Sequence, residues 1–261
     1  MKKLICLLLT VSVLFSFASC SPNNFIKDHT NNQMQKNLEK EFGKNDAKKS
    51  GNAIIFADSY STFKDFIPFG YLTYYSEENE NQTNVTKVSD TWWHQVMTEK
   101  NLNLVLNDSW SGSTIAYTGY DNYDCSESSS FIYRLKQLEE SGFFDKNEID
   151  TVFVFGGTND SVVNSSLGEL KYDNFEKSDL YSVIPAICYF FKTLKSILPD
   201  AKIYCLVNNE INYKITNAFT SVCDKYDITE VTFKKIDKIK GHPTAKGMQD
   251  IKNEVLKAME N

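Results

Sequence analysis

From residue 52 onward, short apolar runs alternate with segments whose apolar residues recur every three or four positions. Ala53–Phe56 (AIIF), Leu102–Leu106 (LNLVL), Thr151–Phe155 (TVFVF), Lys202–Val207 (KIYCLV) and Ile228–Phe233 read as strands, each short and bounded by turn residues. Thr91–Lys100 has helical spacing, with Trp93, Val96 and Met97 on one side. Ser129–Glu140 places Ile132, Leu135 and Leu138 on one stripe, and Leu180–Leu198 places Val183, Ile184, Ile187, Phe191 and Leu194 on another. Ile211–Tyr226 is a less clearly patterned helix, and Thr244–Met259 closes the chain with Met248, Ile251, Val255 and Met259 on one face. Strand–helix alternation predicts an α/β fold: a three-layer α/β/α sandwich with a mainly parallel five-stranded sheet. In such sheets ligands bind outside the carboxyl ends of the strands.

The residues at those carboxyl ends are chemically distinctive. Ala57-Asp58-Ser59-Tyr60-Ser61 comes after the first strand, and Asn107-Asp108-Ser109-Trp110-Ser111-Gly112 after the second. Gly156-Gly157-Thr158-Asn159-Asp160 comes after the third, and His242 lies between the last strand and the last helix. Acyl transfer needs a hydroxyl to attack, a base to take its proton, and neutral donors for the developing oxyanion. Ser59 can supply the first and His242 the second. The Ser59 amide, the Gly112 amide and the Asn159 side chain can supply the third.

The first half-hundred residues change the picture. Lys2 and Lys3 precede a short apolar stretch, Leu4–Phe17, which is too short for an ordinary spanning helix and reads as a signal peptide over residues 1–19. Phe17-Ala18-Ser19-Cys20 resembles a lipobox, so Cys20 is the expected lipidation site and first mature residue. The Asn- and Lys-rich stretch after it reads as a polar tether, partly disordered or weakly helical, so that residues 20–51 carry the anchor and residues 52–261 the folded domain. The expected location is an exported lipoprotein at the outer membrane or cell surface, on either face. Export permits disulfides among Cys125, Cys188, Cys205 and Cys223, but Cys188 and Cys205 sit in apolar runs and read as buried free thiols.

Composition adds exclusions. A net charge of −6 argues against a nucleic-acid partner. The chain has 3 His and no zinc-type Cys/His spacing, so neither a metal nor a cofactor is expected. His29 falls in the tether and His94 on a helix face, and both read as spectators.

The four strand-end segments together resemble the GDSL/SGNH hydrolases, whose blocks supply Ser, Gly, Asn and His in this order. FADSYS is similar to the first block, SWSGST to the second, GGTND to the third and GHP to the last. The resemblance runs from Asn52 to the C-terminus and extends to the TWW and GHPTAKGM neighbourhoods. It implies a flavodoxin-like arrangement and an esterase acting through an acyl-serine. With export, it implies deacetylation of a polysaccharide or a smaller carbohydrate ester. The alternatives are a lipid or thioester hydrolase and a non-catalytic glycan-binding lipoprotein on a decayed site.

Two positions depart from the family pattern. Ala57 stands where the first block has Gly, which is tolerable unless the backbone there needs positive φ. Ile239 stands where the last block has an Asp three residues before the His. Asp237 is the nearby candidate for the orienting carboxylate; otherwise a backbone carbonyl holds His242. Asp58 and Trp110 are candidate pocket residues beside the nucleophile and in the second block, and Asp58 and Asp160 also read as structural acceptors of loop amides. The aromatic stretch Phe63–Tyr75 is either a substrate loop or a core flap.

Overall fold

The computed structural model describes residues 33–43, 49–78, 83–163 and 165–260. Cys20, His29 and the expected signal peptide lie outside the described residues. The first described helix, α1 (Gln33–Phe42), falls inside the stretch read as a polar, partly disordered or weakly helical tether. Met34, Leu38 and Phe42, spaced by four, form a buried stripe. Phe42 packs on Trp93 and His94 with ring centroids 6.4 and 5.1 Å away. Asn37 donates to the Asp65 carbonyl at 2.9 Å, and Glu41 meets His94 Nε2 at 3.3 Å. Residues 33–42 are therefore a docked part of the domain, and His94 helps to hold them.

The remaining elements follow the alternation read from the sequence. They are β1 (Asn52–Ala57), α2 (Trp92–Glu99), β2 (Asn103–Ser109), α3 (Phe131–Glu140), α4 (Phe143–Lys146), β3 (Thr151–Phe155), α5 (Thr158–Val162) and α6 (Val183–Ile197). They continue with β4 (Lys202–Val207), α7 (Tyr213–Tyr226), β5 (Thr229–Thr232), the two-residue strands β6 (Lys238–Ile239) and β7 (His242–Pro243), and α8 (Ala245–Ala258). The sheet order is β2-β1-β3-β4-β5 with every pair parallel. This is the flavodoxin-like order, whose switch point lies between β1 and β3.

Side-chain alternation sorts the core into two halves. Phe56 points to α6, meeting Phe190 edge-on at 5.6 Å. Phe153 and Phe155 point the other way, to Trp92 of α2. α3, α6 and α7 pack together in one layer, and α2 packs on α8 in the other. Each such fully buried ring contributes roughly 1.5–3 kcal/mol. β2 runs past its apolar part to Ser109 because its polar end is satisfied: Asn107 donates to the Ser61 carbonyl at 3.0 Å and Asp108 pairs with Arg134. Cys125, Cys188, Cys205 and Cys223 are all buried and unbridged. Among the described residues no helix is long and apolar enough to cross a membrane.

Candidate active site

Ser59 opens a 3₁₀ turn, Ser59–Ser61, directly after β1. Asp58 caps that turn, its Oδ1 accepting from the Tyr60 amide at 3.1 Å. Asp58 is fully buried, and burial pushes its carboxyl up to about 7 against the pull of that amide. Its place beneath the nucleophile is that of a cap on the Ser59 turn. Ala57 is absent from the residues with positive φ, which is why alanine serves where the family has glycine.

His242 meets Ser59 from the other side of the cleft, with Nε2 3.0 Å from Oγ. It sits on the β6–β7 hairpin, in which Ile239 pairs with His242 and Lys238 with Pro243. The connecting residues Lys240 and Gly241 have φ of 51° and 79°, the two left-handed positions of a type I′ turn. This tight turn aims the Lys240 carbonyl at His242 Nδ1, 3.2 Å away. A carbonyl can only accept, so Nδ1 carries the proton. The neutral ring is then bare at Nε2, the nitrogen facing Ser59. Burial holds the imidazole below its ordinary 6.5, opposed by the Lys240 carbonyl and reinforced by the Lys238 ammonium.

Asp237 is not at the imidazole. It lies one step beyond the Lys238–Pro243 pair, where its carboxylate accepts from Thr244 Oγ1 and its carbonyl from the Thr244 amide at 3.0 Å. It braces the start of α8, and the orienting position expected for it is held by the Lys240 carbonyl instead. The packing there is close: a Cβ on Gly247 would lie 2.1 Å from the Asp237 carbonyl oxygen, so only glycine lets α8 approach the hairpin.

Two loops complete the cleft. Gly112 has φ of 80° in the loop after β2, a conformation that favours glycine. Asn159 is the second residue of α5 and is 7% exposed. Its Nδ2 donates to the Ser113 carbonyl at 2.9 Å, and its Oδ1 accepts from Tyr120 Oη at 2.8 Å. Both ends of the amide are thus assigned, and Nδ2 also donates to Asp58 Oδ2 at 3.5 Å, the longest and so the most readily exchanged of its bonds. Asp160 ties the loops together by accepting from the Ile115 and Ala116 amides at 2.9 and 3.0 Å. Burial raises its carboxyl to about 6 against those bonds. Trp110 is only partly exposed and stacks on Tyr71 at 4.1 Å, so it braces the 63–75 segment as much as it faces solvent. That segment is both things expected of it. Phe63, Phe66 and Tyr75 are buried, whereas Phe69 is 80% exposed and Tyr74 covers His242.

Several residues escaped the sequence reading. Arg134 is buried under the cleft, paired with Asp108 and reaching the Ala57 carbonyl and Ser113 Oγ, each at 3.4 Å. Its signal was available: it is the only arginine in a lysine-rich chain, set in a helical stripe. Tyr74 had only its aromatic neighbourhood, and Tyr120 and the Lys240 carbonyl had no signal. Among the described residues no group of three or more His, Cys, Asp or Glu is placed to hold a metal ion.

Residues 52–259 match the family model of the GDSL-like lipases/acylhydrolases, which decides the relationship. The chain belongs to that family. Two solved structures described as GDSL-like lipases are similar to this GDSL-like hydrolase. The one from Bacteroides ovatus shares 36% identity at a TM-score of 0.75, covering 80% of this chain and 98% of its own. The one from Bacteroides uniformis shares 37% at 0.75, covering 82% and 97%. A family two carbohydrate esterase from Clostridium thermocellum, solved with cellohexaose, shares the fold at 16% identity and a TM-score of 0.57, covering 82% of this chain and 64% of its own. No curated protein matches the chain. The family, the parallel α/β sheet and the hydrolase assignment agree with the reading of the four sequence blocks.

Proposed function

We propose that this GDSL-like hydrolase is an exported serine esterase that removes acyl groups, acetyl foremost, from a carbohydrate through an acyl-serine intermediate. The observation that carries the reading is the geometry at His242: Nδ1 lies 3.2 Å from the Lys240 carbonyl, which can only accept, and Nε2 lies 3.0 Å from Ser59 Oγ, placed to take its proton. Ser59 Oγ attacks the ester carbonyl carbon as its proton passes to Nε2. The carbonyl electron pair moves onto oxygen and is met by the Ser59 amide, the Gly112 amide and Asn159 Nδ2. The oxyanion collapses, the bond to the alcohol breaks, and the leaving oxygen takes the proton from Nε2. Water then attacks the acyl-serine with the same base, releasing the acid and restoring Ser59.

Two features support a carbohydrate ester. Tyr120 and Tyr123, 46% and 50% exposed, stand on the loop beside Asn159, and flat exposed rings suit sugar faces. The fold is also shared with carbohydrate esterases. Cys20 is the lipid anchor in this reading, and the apolar Leu4–Phe17 run is its leader.

The test is a fluorophosphonate probe followed by turnover of acetylated xylo-oligosaccharides and short p-nitrophenyl esters. Labelling of the wild type but not of Ser59→Ala, with preference for the acetylated sugar, is the expected result. Preference for long-chain esters would replace the carbohydrate with a lipid. Absence of labelling and turnover would sink the esterase reading. For the anchor, Cys20→Ala should leave the membrane fraction or remain unprocessed; a wild-type mature N-terminus elsewhere without lipid rejects it.

A further inference from the structure

Tyr74 covers one face of His242 and takes no part in the acyl-transfer steps themselves. The two rings are 3.5 Å apart at their centroids and 8° from parallel. Such direct overlap is the arrangement that two neutral π systems avoid, since their faces are both electron-rich. It becomes attractive when one ring is a cation. The contact therefore improves when the imidazole becomes imidazolium, as it does each time Nε2 takes a proton.

Few other groups near the ring favour that cation. The group at Nδ1 is a neutral carbonyl, so the imidazolium has no carboxylate at its back. From the β1 turn, Ser59 and Tyr60 face the ring, with Asp58 buried beneath as the cap of that turn. Tyr60 is edge-on at 5.6 Å and spends its hydroxyl on the Gly241 carbonyl at 2.6 Å. From the 62–75 segment come Tyr74 and Tyr75, whose hydroxyl donates to the Pro243 carbonyl at 2.9 Å. The hairpin contributes Lys238 and Lys240. The Lys238 ammonium opposes a positive ring, and Glu210, from the loop after β4, binds that ammonium at 2.8 Å. Asp237 is taken by Thr244.

The stack is also anchored. Thr62 Oγ1 donates to the Ser59 carbonyl at 3.1 Å and accepts from the Tyr74 amide at 2.9 Å. One hydroxyl thus ties the backbone of the nucleophile to the backbone of the ring that covers the base.

We propose that Tyr74 is the electrostatic partner of His242. Its π face stabilises the imidazolium formed as the Ser59 proton reaches Nε2, supplying from the ring face the charge stabilisation that a carboxylate gives at Nδ1 in a Ser–His–Asp set, where here the Lys240 carbonyl sits. The charges balance within the site, the positive ring against the negative oxyanion, and no further acid or base is needed. Tyr74 is a positioning residue, since it touches the base and not the substrate. The inference rests on the reading of His242 as the general base.

The test is a series at one position, Tyr74→Phe, Tyr74→Trp and Tyr74→Leu, with two readouts. The first is the NMR titration of the His242 ring in the folded protein. The second is the pH profile of kcat/KM with kcat and KM resolved. A π face at exposed to desolvated sites predicts a kcat loss of about 3- to 30-fold for Leu, with KM little changed. The Leu variant should also shift the His242 titration and the acid limb of the profile to lower pH, by about half a unit to one and a half units. Phe should keep both values, and Trp should move the titration upward. Equal damage by Phe and Leu would assign the effect to the hydroxyl and overturn the proposal, as would an unmoved titration in a folded Leu variant. The titration is read without turnover, so it separates this idea from the one beneath it: full activity in His242→Ala would reject the base itself whatever Tyr74 does.

Discussion

On the nucleophile side of the cleft, charge is taken out of water and joined to backbone. Asp58 caps the Ser59 turn, Asp160 holds two amides of the Gly112 loop, and Arg134 links Asp108 to the end of β1. On the base side the imidazole stands on a hairpin of two-residue strands, held by a carbonyl and two aromatic rings. The two halves meet in one 3.0 Å contact. The difference teaches that a nucleophile and its oxyanion donors need fixed position, because donors act by being aimed before charge develops. The base needs a fixed tautomer and room to become a cation.

The comparison breaks first at the contact itself. Ser59→Ala and His242→Ala should each cost roughly 10⁴–10⁶ in kcat, and the double variant little more, because the two act as one unit. Additive losses in single-turnover assays would mean that they act separately. Asn159→Ala should lower kcat by roughly 10²–10³, the usual effect of one lost oxyanion donor. Asn159→Asp, which keeps the shape, should lose as much, and a KM effect alone would move Asn159 out of the oxyanion hole.

The rigidity of the nucleophile side can be tested without touching the cleft. Arg134→Lys keeps the charge but not the planar set of donors that reaches Asp108, Ala57 and Ser113. It should cost about 2–3 kcal/mol of stability, read by calorimetry as roughly 4–12 °C in Tm. A Tm within a degree of wild type would show that the buried pair is not a brace.

A pH effect on stability comes next. The Asp58 carboxyl rises from 3.8 to about 7 on folding, so the folded state favours the protonated form. Its contribution is complete below the unfolded value near 4 and is lost as pH rises through about 7. Tm should therefore fall more between pH 5 and 8 in the wild type than in Asp58→Asn, which keeps the Tyr60 cap and cannot titrate. Parallel Tm curves for the two proteins would refute the assignment. The smallest effect sharpens the base side: Asp237→Ala should change kcat by less than about threefold and cost about 1 kcal/mol through Thr244. A loss of a hundredfold would restore Asp237 as the orienting carboxylate.

Periodicity made most of the fold legible. Runs such as TVFVF and the stripe on Val183–Ile197 carry their own period, and all five strands of the sheet lie where the pattern placed them. α1 was obscured because Met34, Leu38 and Phe42 are spaced as a helix stripe within an otherwise polar stretch, and only their burial against α2 reveals its value. In the site, Ser59, Gly112, Asn159 and His242 were legible because side-chain chemistry marks them. The Lys240 carbonyl was not, because every residue has one and only the turn decides where it points. Tyr120 and Arg134 act on partners 39 and 26 positions away, distances over which a pattern carries no information.

The acceptor at Nδ1 belongs to the main chain, and that changes what mutation can do to it. No exchange of side chain deletes a carbonyl, so a substitution at position 240 reaches the tautomer of His242 only through the backbone torsions. What inheritance must preserve is a pair of torsions. Asn or Gly at position 240 would relax the left-handed backbone that Lys240 adopts at φ 51° and should leave turnover intact. A β-branched residue at either turn position would unseat the base without touching any group that reacts. At this half of the site, conformation rather than chemical identity is what a substitution must preserve.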